Sequence, residues 1–140
     1  MRRIMIVVQD TEMNDIARIK RRETYDDFPT IVCLCGSTRF MDAFQSAGLN
    51  ETIQGKIVLS VGCNTKSDAK LFGGNAFNST VLKLQLDDLH KRKIDLADEI
   101  LVLNVGGYIG ESTRSEIEYA SKQGKLIRFL EAIEPEFFFQ

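Results

Sequence analysis

The sequence predicts an α/β fold built on a parallel sheet, and three observations support this prediction. Apolar runs of strand length lie at residues 31–35, 55–62, 99–104 and 125–130. Glycine-bearing or polar turns follow these runs, and segments with the apolar spacing of helices separate them. Strands that alternate with helices form βαβ units, which build parallel sheets with helices on their faces.

The composition is that of one globular domain, and it excludes several classes of partner. The chain has 140 residues, of which 44% are hydrophobic and 27% are charged. Its net charge of −2 gives no electrostatic support for nucleic-acid binding. No apolar run approaches the roughly 20 residues that span a bilayer, and residues 1–4 are not followed by the apolar core of a signal peptide. We therefore predict a cytoplasmic protein without a nucleic-acid or membrane partner.

Within this single domain we predict an N-terminal accessory segment (1–29), a core (30–130) and a tail (131–140). Residues 3–8 are apolar enough for a short strand, and residues 12–22 carry apolar side chains at helical spacing. The segment ends at Phe28, because the residue before a proline avoids the helical conformation. Three consecutive phenylalanines, 137–139, lie in the tail, and we expect them to be buried against the domain or a second subunit.

A first candidate anion site follows the strand at 31–35. Gly36 ends this strand, and Ser37 and Thr38 open a helix whose first backbone N–H groups have no partner within the helix. Either hydroxyl could instead serve as an ordinary helix N-cap. Arg39 favours the anion site, because a guanidinium group binds phosphate or carboxylate through two parallel hydrogen bonds.

A second loop, with Gly106, Gly107 and Gly110, follows the strand at 99–104 and leads into a helix that we expect to start at Ser112 or Thr113. Thr113 and Glu116 have the spacing of a capping box, in which Glu116 folds back onto the helix start. Alternatively, Glu116 points into a pocket as a carboxylate nucleophile. A place in the first helical turn would favour its ionised form through the helix dipole.

The cysteines and the single histidine predict no metal site. Cys33 and Cys35 share one face of a strand and cannot easily form a disulfide, and Cys63 stands alone after the next strand. With one histidine in the chain, the spacings suggest no zinc-binding constellation. We expect buried, reduced thiols rather than a catalytic cysteine. The predicted helix 79–96 carries an apolar stripe formed by Leu82, Leu86, Leu89 and Ile94. His90 lies at the edge of this stripe, where it is either a packed or a catalytic residue.

Short right-handed connections favour the flavodoxin-like strand order 2-1-3-4. In this Rossmann-like three-layer fold, ligands bind beyond the carboxyl ends of the first and third strands, where the chain reverses direction. The loops 36–39 and 106–116 meet there, which predicts a small, anionic, phosphate-bearing ligand. The polar loop at residues 63–77 is long enough to be a functional lid over such a site.

Three short motifs, in this order, resemble the nucleoside 2-deoxyribosyltransferase superfamily, and most closely its 2'-deoxynucleoside 5'-monophosphate N-glycosidases. They are Cys35-Gly36-Ser37-Thr38-Arg39, Ala97-Asp98 before a strand and glycine loop, and Glu116-Ile117-Glu118-Tyr119-Ala120. The resemblance covers residues 30–130. It implies a flavodoxin-like fold, a homodimer or larger homo-oligomer whose active sites are completed by the neighbouring subunit, and catalysis without a metal or cofactor.

The resemblance also implies roles for individual residues. Glu116 matches the glutamate nucleophile, while His90 lies at or near the position of the family's aspartate and Asp87 lies one turn earlier. Where the family commonly has a strand tyrosine this chain has Cys33, and Tyr108 could supply the hydroxyl instead. We therefore predict catalytic roles for Glu116, His90 and Asp87, and substrate binding by Gly36, Ser37, Thr38, Arg39, Gly106, Gly107, Tyr108, Gly110 and Ser112.

The implied reaction is cleavage or transfer at the N-glycosidic bond of a nucleoside or nucleoside 5'-monophosphate through a glutamate nucleophile. Water as acceptor would make the protein a hydrolase, and a second base would make it a transferase. One alternative is a non-catalytic nucleotide-binding or sensing module that uses the same loops. Another is a phosphoribohydrolase of the cytokinin-activating type, which is less favoured because the chain lacks that family's proline-glycine-glycine opening.

Overall fold

The computed structural model describes residues 27–62 and 80–134. Several predicted features lie outside the described residues: the strand at 3–8, the helix at 12–22, the lid at 63–77 and the phenylalanines 137–139. The core from which the site is built lies within them.

Four strands form one parallel sheet in the order β2-β1-β3-β4, which confirms the predicted topology. The strands are β1 (Ile31–Cys35), β2 (Ile57–Leu59), β3 (Glu99–Val102) and β4 (Leu126–Phe129). The central strands β1 and β3 are buried along their whole length, because helices cover both faces of the sheet. Their pairing places Cys35 opposite Val102, so both strands end at the same edge.

Within the described residues, three α-helices lie between the strands: α1 (Met41–Ile53), α2 (Thr80–Leu96) and α3 (Glu111–Lys122). Short 3-10 turns follow β1 (Thr38–Phe40) and β3 (Val105–Gly107). The helix α1 packs on one face of the sheet, where Val32, Leu34, Phe44, Ala47, Leu101 and Leu103 form a core. The helices α2 and α3 cover the other face, with Cys33, Cys35, Ile94, Ala97, Ile100, Val102, Ile117 and Ala120. The fold therefore has three layers, as the sequence predicts.

The inward face of α2 differs from the predicted one. Ile94 is fully buried as expected, but Leu89 is 52% exposed. His90 is buried in its place, with 8% of its surface exposed. Residues four apart lie on the same helix face, so His90 and Ile94 point together at the sheet while Leu89 is turned away. The histidine is thus part of the interior and faces β1.

Among the described residues, no helix is both long and apolar enough to cross a membrane.

Candidate functional site

The first loop is packed directly against the end of the neighbouring strand. A Cβ atom on Gly36 would lie 3.2 Å from Leu103 Cβ and 3.3 Å from the Leu103 carbonyl oxygen, so only glycine fits comfortably. Ser37 caps the short turn that follows, since its hydroxyl accepts a hydrogen bond of 3.3 Å from the Arg39 backbone N–H. Ser37 is therefore the N-cap of this 3-10 turn only, whereas α1 begins at Met41 with Phe40 as its N-cap, later than the predicted helix start.

The second loop is held by two polar residues that the sequence analysis did not identify. Asn104 is buried, and its side chain exchanges two hydrogen bonds of 2.9 Å with the backbone of Glu131. The Glu131 carboxylate accepts a further hydrogen bond of 2.8 Å from the Gly106 N–H. Gly106 and Gly107 have positive φ angles of 63° and 80°, which favour glycine. An asparagine directly after an entirely apolar strand was the available sequence signal.

Stacking joins the two loops to each other. The Arg39 guanidinium lies 4.3 Å from the centre of the Tyr108 ring, a cation–π distance. Phe40 meets the same ring edge to face at 6.0 Å. Stacking fixes the plane of the guanidinium and leaves its edges as hydrogen-bond donors. Arg39 and Tyr108, both predicted to bind substrate, therefore form one group.

The helix α3 begins at Glu111, with Gly110 as its N-cap, and this overturns the capping box. Thr113 cannot be the N-cap, because it is already a buried residue within the first turn. Glu116 consequently lies in the second turn rather than the first. The helix dipole acts mainly within the first turn, so it does not explain the state of this carboxylate.

Glu116 is buried, with 7% of its surface exposed, and it lines a cleft of about 280 Å³ between α2 and α3. Its Oε1 atom lies 3.8 Å from His90 Nε2. Burial raises the pKa of Glu116 to about 7, although the charge of His90 opposes this rise. The other residues that line the cleft are Leu84, Asp87, Asp88, Lys91, Ser112 and Ser115.

The structure thus brings some of the predicted site residues together and leaves others apart. Glu116, Asp87 and Ser112 line one cleft. The lining that the described residues provide does not include Gly36–Arg39 or Tyr108. Lys83 and Lys91 were not predicted. The ammonium group of Lys83 donates to Asp87 Oδ2 at 2.9 Å and to Ser112 Oγ at 3.2 Å, and this links α2 to the start of α3.

Behind Glu116 lies a thiol–imidazole cluster, consisting of Cys33, Cys35 and His90. His90 Nε2 is 3.6 Å from Cys33 Sγ and 3.7 Å from Cys35 Sγ, and the three atoms lie within 4.8 Å of one another. The expectation that these residues form no metal-binding constellation is therefore wrong. The two cysteines were correctly placed on one strand face. His90 was placed at the edge of the apolar stripe, whereas its buried position brings the imidazole onto that face.

The three members of the cluster shift one another's pKa values. A hydrogen bond from Cys35 lowers the pKa of Cys33 to about 6, against the effect of burial and with the help of His90. The same hydrogen bond, together with burial, raises the pKa of Cys35 well above its usual value. Burial would lower the pKa of His90, but its contact with Cys33 and the charge of Glu116 raise it overall.

In comparisons with known proteins, no family model, no curated protein and no solved structure matches this chain significantly. The resemblance of its short motifs to a family therefore stays a prediction. The support for a function comes from the side chains of the cleft and the two loops.

Proposed function

We propose that the protein cleaves or transfers the N-glycosidic bond of a nucleoside or nucleoside 5'-monophosphate, with Glu116 as the nucleophile. One observation carries this proposal. Glu116 and Asp87, together with a third carboxylate, Asp88, line a single cleft at the carboxyl end of the parallel sheet. Glycosidic bonds are commonly cleaved by such a pair, in which one carboxylate attacks the sugar and the other serves the leaving group.

In the proposed reaction, the Glu116 carboxylate attacks the anomeric carbon and the bond from that carbon to the base nitrogen breaks. Asp87 donates a proton to the departing base or orients it. The resulting glycosyl–enzyme ester is then cleaved by water or by a second base, which restores the Glu116 carboxylate. Two displacements of moderate difficulty replace one difficult displacement.

We assign Asp87 rather than His90 to the leaving group, because Asp87 lines the cleft and His90 lies behind Glu116. His90 is then a positioning residue for the nucleophile. Its positive charge lowers the pKa of Glu116 and so favours the attacking carboxylate form over the protonated form.

The loops supply candidate contacts for a phosphate. Arg39 is exposed at the carboxyl end of β1, and its orientation is fixed by the Tyr108 ring. Lys91 and Ser112 line the cleft itself. Contacts to a phosphate that does not react contribute binding energy, which can be used to hold the anomeric carbon against Glu116.

A non-catalytic nucleotide-binding module is the second candidate function, and one observation favours it. Burial raises the pKa of Glu116 to about 7, so a large fraction of this carboxyl group is protonated at neutral pH. A protonated glutamate can donate a hydrogen bond to a ligand but cannot attack a sugar.

The test is release of free base from a panel of nucleosides and nucleoside 5'-monophosphates, scored by chromatography in the presence of a chelator. Glu116→Gln keeps the shape of the side chain and removes the attacking oxygen, so turnover should fall by about 10³-fold or more. Glu118→Gln is the matched control, because Glu118 is an exposed glutamate on the same helix. Base release that persists in Glu116→Gln, or nucleotide binding by a wild-type protein that releases no base, contradicts the enzymatic proposal.

The outer face of α2 supports a homodimer. Val81, Leu84 and Leu89 are each more than half exposed, and Leu84 also lines the cleft. A second subunit on this face would cover apolar surface and close the cleft from outside. We expect light scattering at micromolar concentration to give about twice the chain mass of 15.8 kDa. We also expect Leu84→Glu to shift the protein towards the monomer, and a wild-type mass near that of one chain would contradict this.

A further inference from the structure

The thiol–imidazole cluster raises a question that the proposed reaction does not answer, namely why two thiols converge on one imidazole nitrogen in the interior. Cys33 and Cys35 are fully buried, and His90 is 8% exposed. The proposed cleavage uses neither sulfur atom. The two cysteines lie on a strand and His90 lies on a helix, 57 and 55 positions away in sequence. No local turn therefore forces the three side chains together.

One nitrogen atom cannot satisfy all of these neighbours through hydrogen bonds. His90 Nε2 lies 3.0 Å from the Leu34 carbonyl oxygen, in addition to the two sulfur atoms and Glu116 Oε1. An imidazole nitrogen carries either one hydrogen or one lone pair. If Nε2 carries a hydrogen and donates it to the Leu34 oxygen, neither thiol can donate to this nitrogen. If Nε2 instead accepts a hydrogen from one thiol, its lone pair faces the Leu34 oxygen, which is then left without this donor. The hydrogen bonds that remain for the thiols, to backbone oxygens at 3.9 and 4.0 Å, are long.

We propose that Cys33, Cys35 and His90 bind one zinc-class transition-metal ion, with Glu116 as the fourth ligand. Two thiolates, one imidazole and one carboxylate are ligands that zinc takes in proteins. With about 2.3 Å to sulfur and about 2.0 Å to nitrogen, a tetrahedral ion holds sulfur and nitrogen about 3.5 Å apart. The observed distances of 3.6 and 3.7 Å already match this value.

Glu116 must move to become the fourth ligand, because its oxygens are not among the atoms that lie within 4.8 Å of one another. Glu116 Oε1 is 3.8 Å from His90 Nε2, a few tenths of an ångström beyond the nitrogen–oxygen separation in a tetrahedral site. Glu116 also lines the cleft, which gives an ion a route from solvent to the buried sulfurs. On binding, the two thiols lose their protons to solvent, Nε2 gives up its contact with Leu34, and no electron is transferred.

The metal site does not depend on the proposed glycosidic reaction, since its ligands would assemble whether or not Glu116 attacks a sugar. It does affect that reaction. A carboxylate bound to a metal cannot act as a free nucleophile, so the metal-loaded protein is expected to release no base. Metal binding and base release are measured separately, and either proposal can fail alone.

The experiment is a titration of the reduced, chelator-treated full chain with Co²⁺, followed by Zn²⁺. We expect a sulfur-to-cobalt charge-transfer band and the intense visible bands of a four-coordinate site, saturating at one ion per chain and abolished by zinc. Cys33→Ser and Cys35→Ser should each lower the charge-transfer band, and Cys63→Ser, which alters the remaining cysteine, should keep it. Circular dichroism establishes that each variant is folded.

A measurement on the wild-type chain makes the test independent of the variants. Zinc X-ray absorption of the loaded protein should show two sulfur neighbours at about 2.3 Å and lighter neighbours near 2.0 Å. A shell without sulfur overturns the proposal. So does the absence of a charge-transfer band in the wild type, or a band that Cys63→Ser abolishes while the two strand variants retain it.

Discussion

In the part of the chain that the structure describes, buried carboxylates occur at two places, on opposite faces and at opposite ends of the sheet. One is an amino-end network on the α1 face, made of Glu51, Glu99, Lys56 and Arg128. Lys56 Nζ is 3.3 Å from Glu51 and 3.0 Å from Glu99, and Arg128 donates to both carboxylates as well. Two negative and two positive charges therefore neutralise one another, and each carboxylate has two cationic donors.

The thiol–imidazole cluster and Glu116, on the α2 and α3 face, are not matched in this way. Three acidic groups, Cys33, Cys35 and Glu116, face a single basic group, His90. Burial leaves the pKa of Glu116 raised to about 7, whereas the cationic partners of Glu51 keep its pKa below the usual value despite burial. Burial therefore decides the pKa of Glu116, whereas the cationic neighbours of Glu51 outweigh burial and lower its pKa.

The difference indicates what each set of side chains does. A buried network in which each charge faces charges of the opposite sign stabilises one arrangement of the chain, although Arg128 Nε has no hydrogen-bond partner here. A buried set with competing hydrogen bonds costs stability, and such conflicts are expected where a protein binds or transforms a ligand. On this basis we infer that the amino end of the sheet supports the fold, and we propose the carboxyl end as the functional end.

The largest predicted effect on stability follows from removing a cation of the amino-end network. Arg128→Leu leaves Glu51 and Glu99 with Lys56 as their shared partner, so the free energy of unfolding should fall by about 3 kcal/mol. Urea unfolding at neutral pH measures this loss. Lys122→Leu, at the exposed end of α3, is the control and should change stability by less than about 0.5 kcal/mol.

The loss in Arg128→Leu should depend on pH in a defined direction. The pKa of Glu51 is below its usual value of 4.5 in the folded protein, because hydrogen bonds from Arg128 and Lys56 outweigh the effect of burial. A depressed pKa contributes stability that is present above pH 4.5 and is lost as the pH falls through the folded-state pKa. Wild type and Arg128→Leu should therefore converge in acid, and a difference that is constant down to pH 3 would contradict the assignment.

The sequence was sufficient to predict the fold because its strongest signals are those of buried strands. The predicted strand at 31–35 coincides with β1, which is covered on both faces. The edge strand β2 is shorter than the predicted 55–62. Ile57 at its start is already 38% exposed, and the ends of a partly exposed strand are less clearly marked by apolar residues. The strand order followed from handedness rules that apply to all such sheets.

The site was less predictable because its chemistry depends on packing between distant residues. The spacing of Thr113 and Glu116 fits a capping box, but the extended conformation of Gly110 starts the helix earlier and removes that role. His90 is buried because α2 places it against β1, where its Nε2 atom lies 3.0 Å from the Leu34 carbonyl oxygen. No local sequence pattern reveals this orientation of the helix. A local motif is only a hypothesis until the helix start and the facing strand are known.

A smaller effect is predicted for the loops at the carboxyl end, and it concerns binding rather than folding. Arg39 is exposed and stacks on Tyr108, so Arg39→Ala should leave the free energy of unfolding nearly unchanged. If its guanidinium holds a phosphate, the variant should lose about 1.5–3 kcal/mol of binding energy for nucleoside monophosphates and much less for nucleosides. Calorimetry with both ligands measures this. Equal losses for both would make Arg39 a structural residue.

The smallest effect tests whether the carboxyl end trades stability for function. A Glu116 carboxyl group whose pKa is raised to about 7 is favoured in its neutral form by the folded protein. Its ionisation therefore costs stability progressively as the pH rises from 4.5 to 7, and the full cost is present above pH 7. Glutamine is neutral at every pH and has the same shape. We expect Glu116→Gln to raise the free energy of unfolding at pH 8 by about 1 kcal/mol in the presence of a chelator.

This gain should vanish as the pH falls towards 4.5, where the wild-type carboxyl group is neutral in both states. The matched change at the other end of the sheet, Glu99→Gln, should instead lower stability at pH 8, because it weakens the acceptor shared by Lys56 and Arg128. Urea unfolding of the two variants and of Glu118→Gln at pH 8 and pH 5 provides the comparison. If Glu116→Gln destabilised the protein at pH 8 as much as Glu99→Gln does, the carboxylate would be a structural partner, and the contrast between the two ends of the sheet would be wrong.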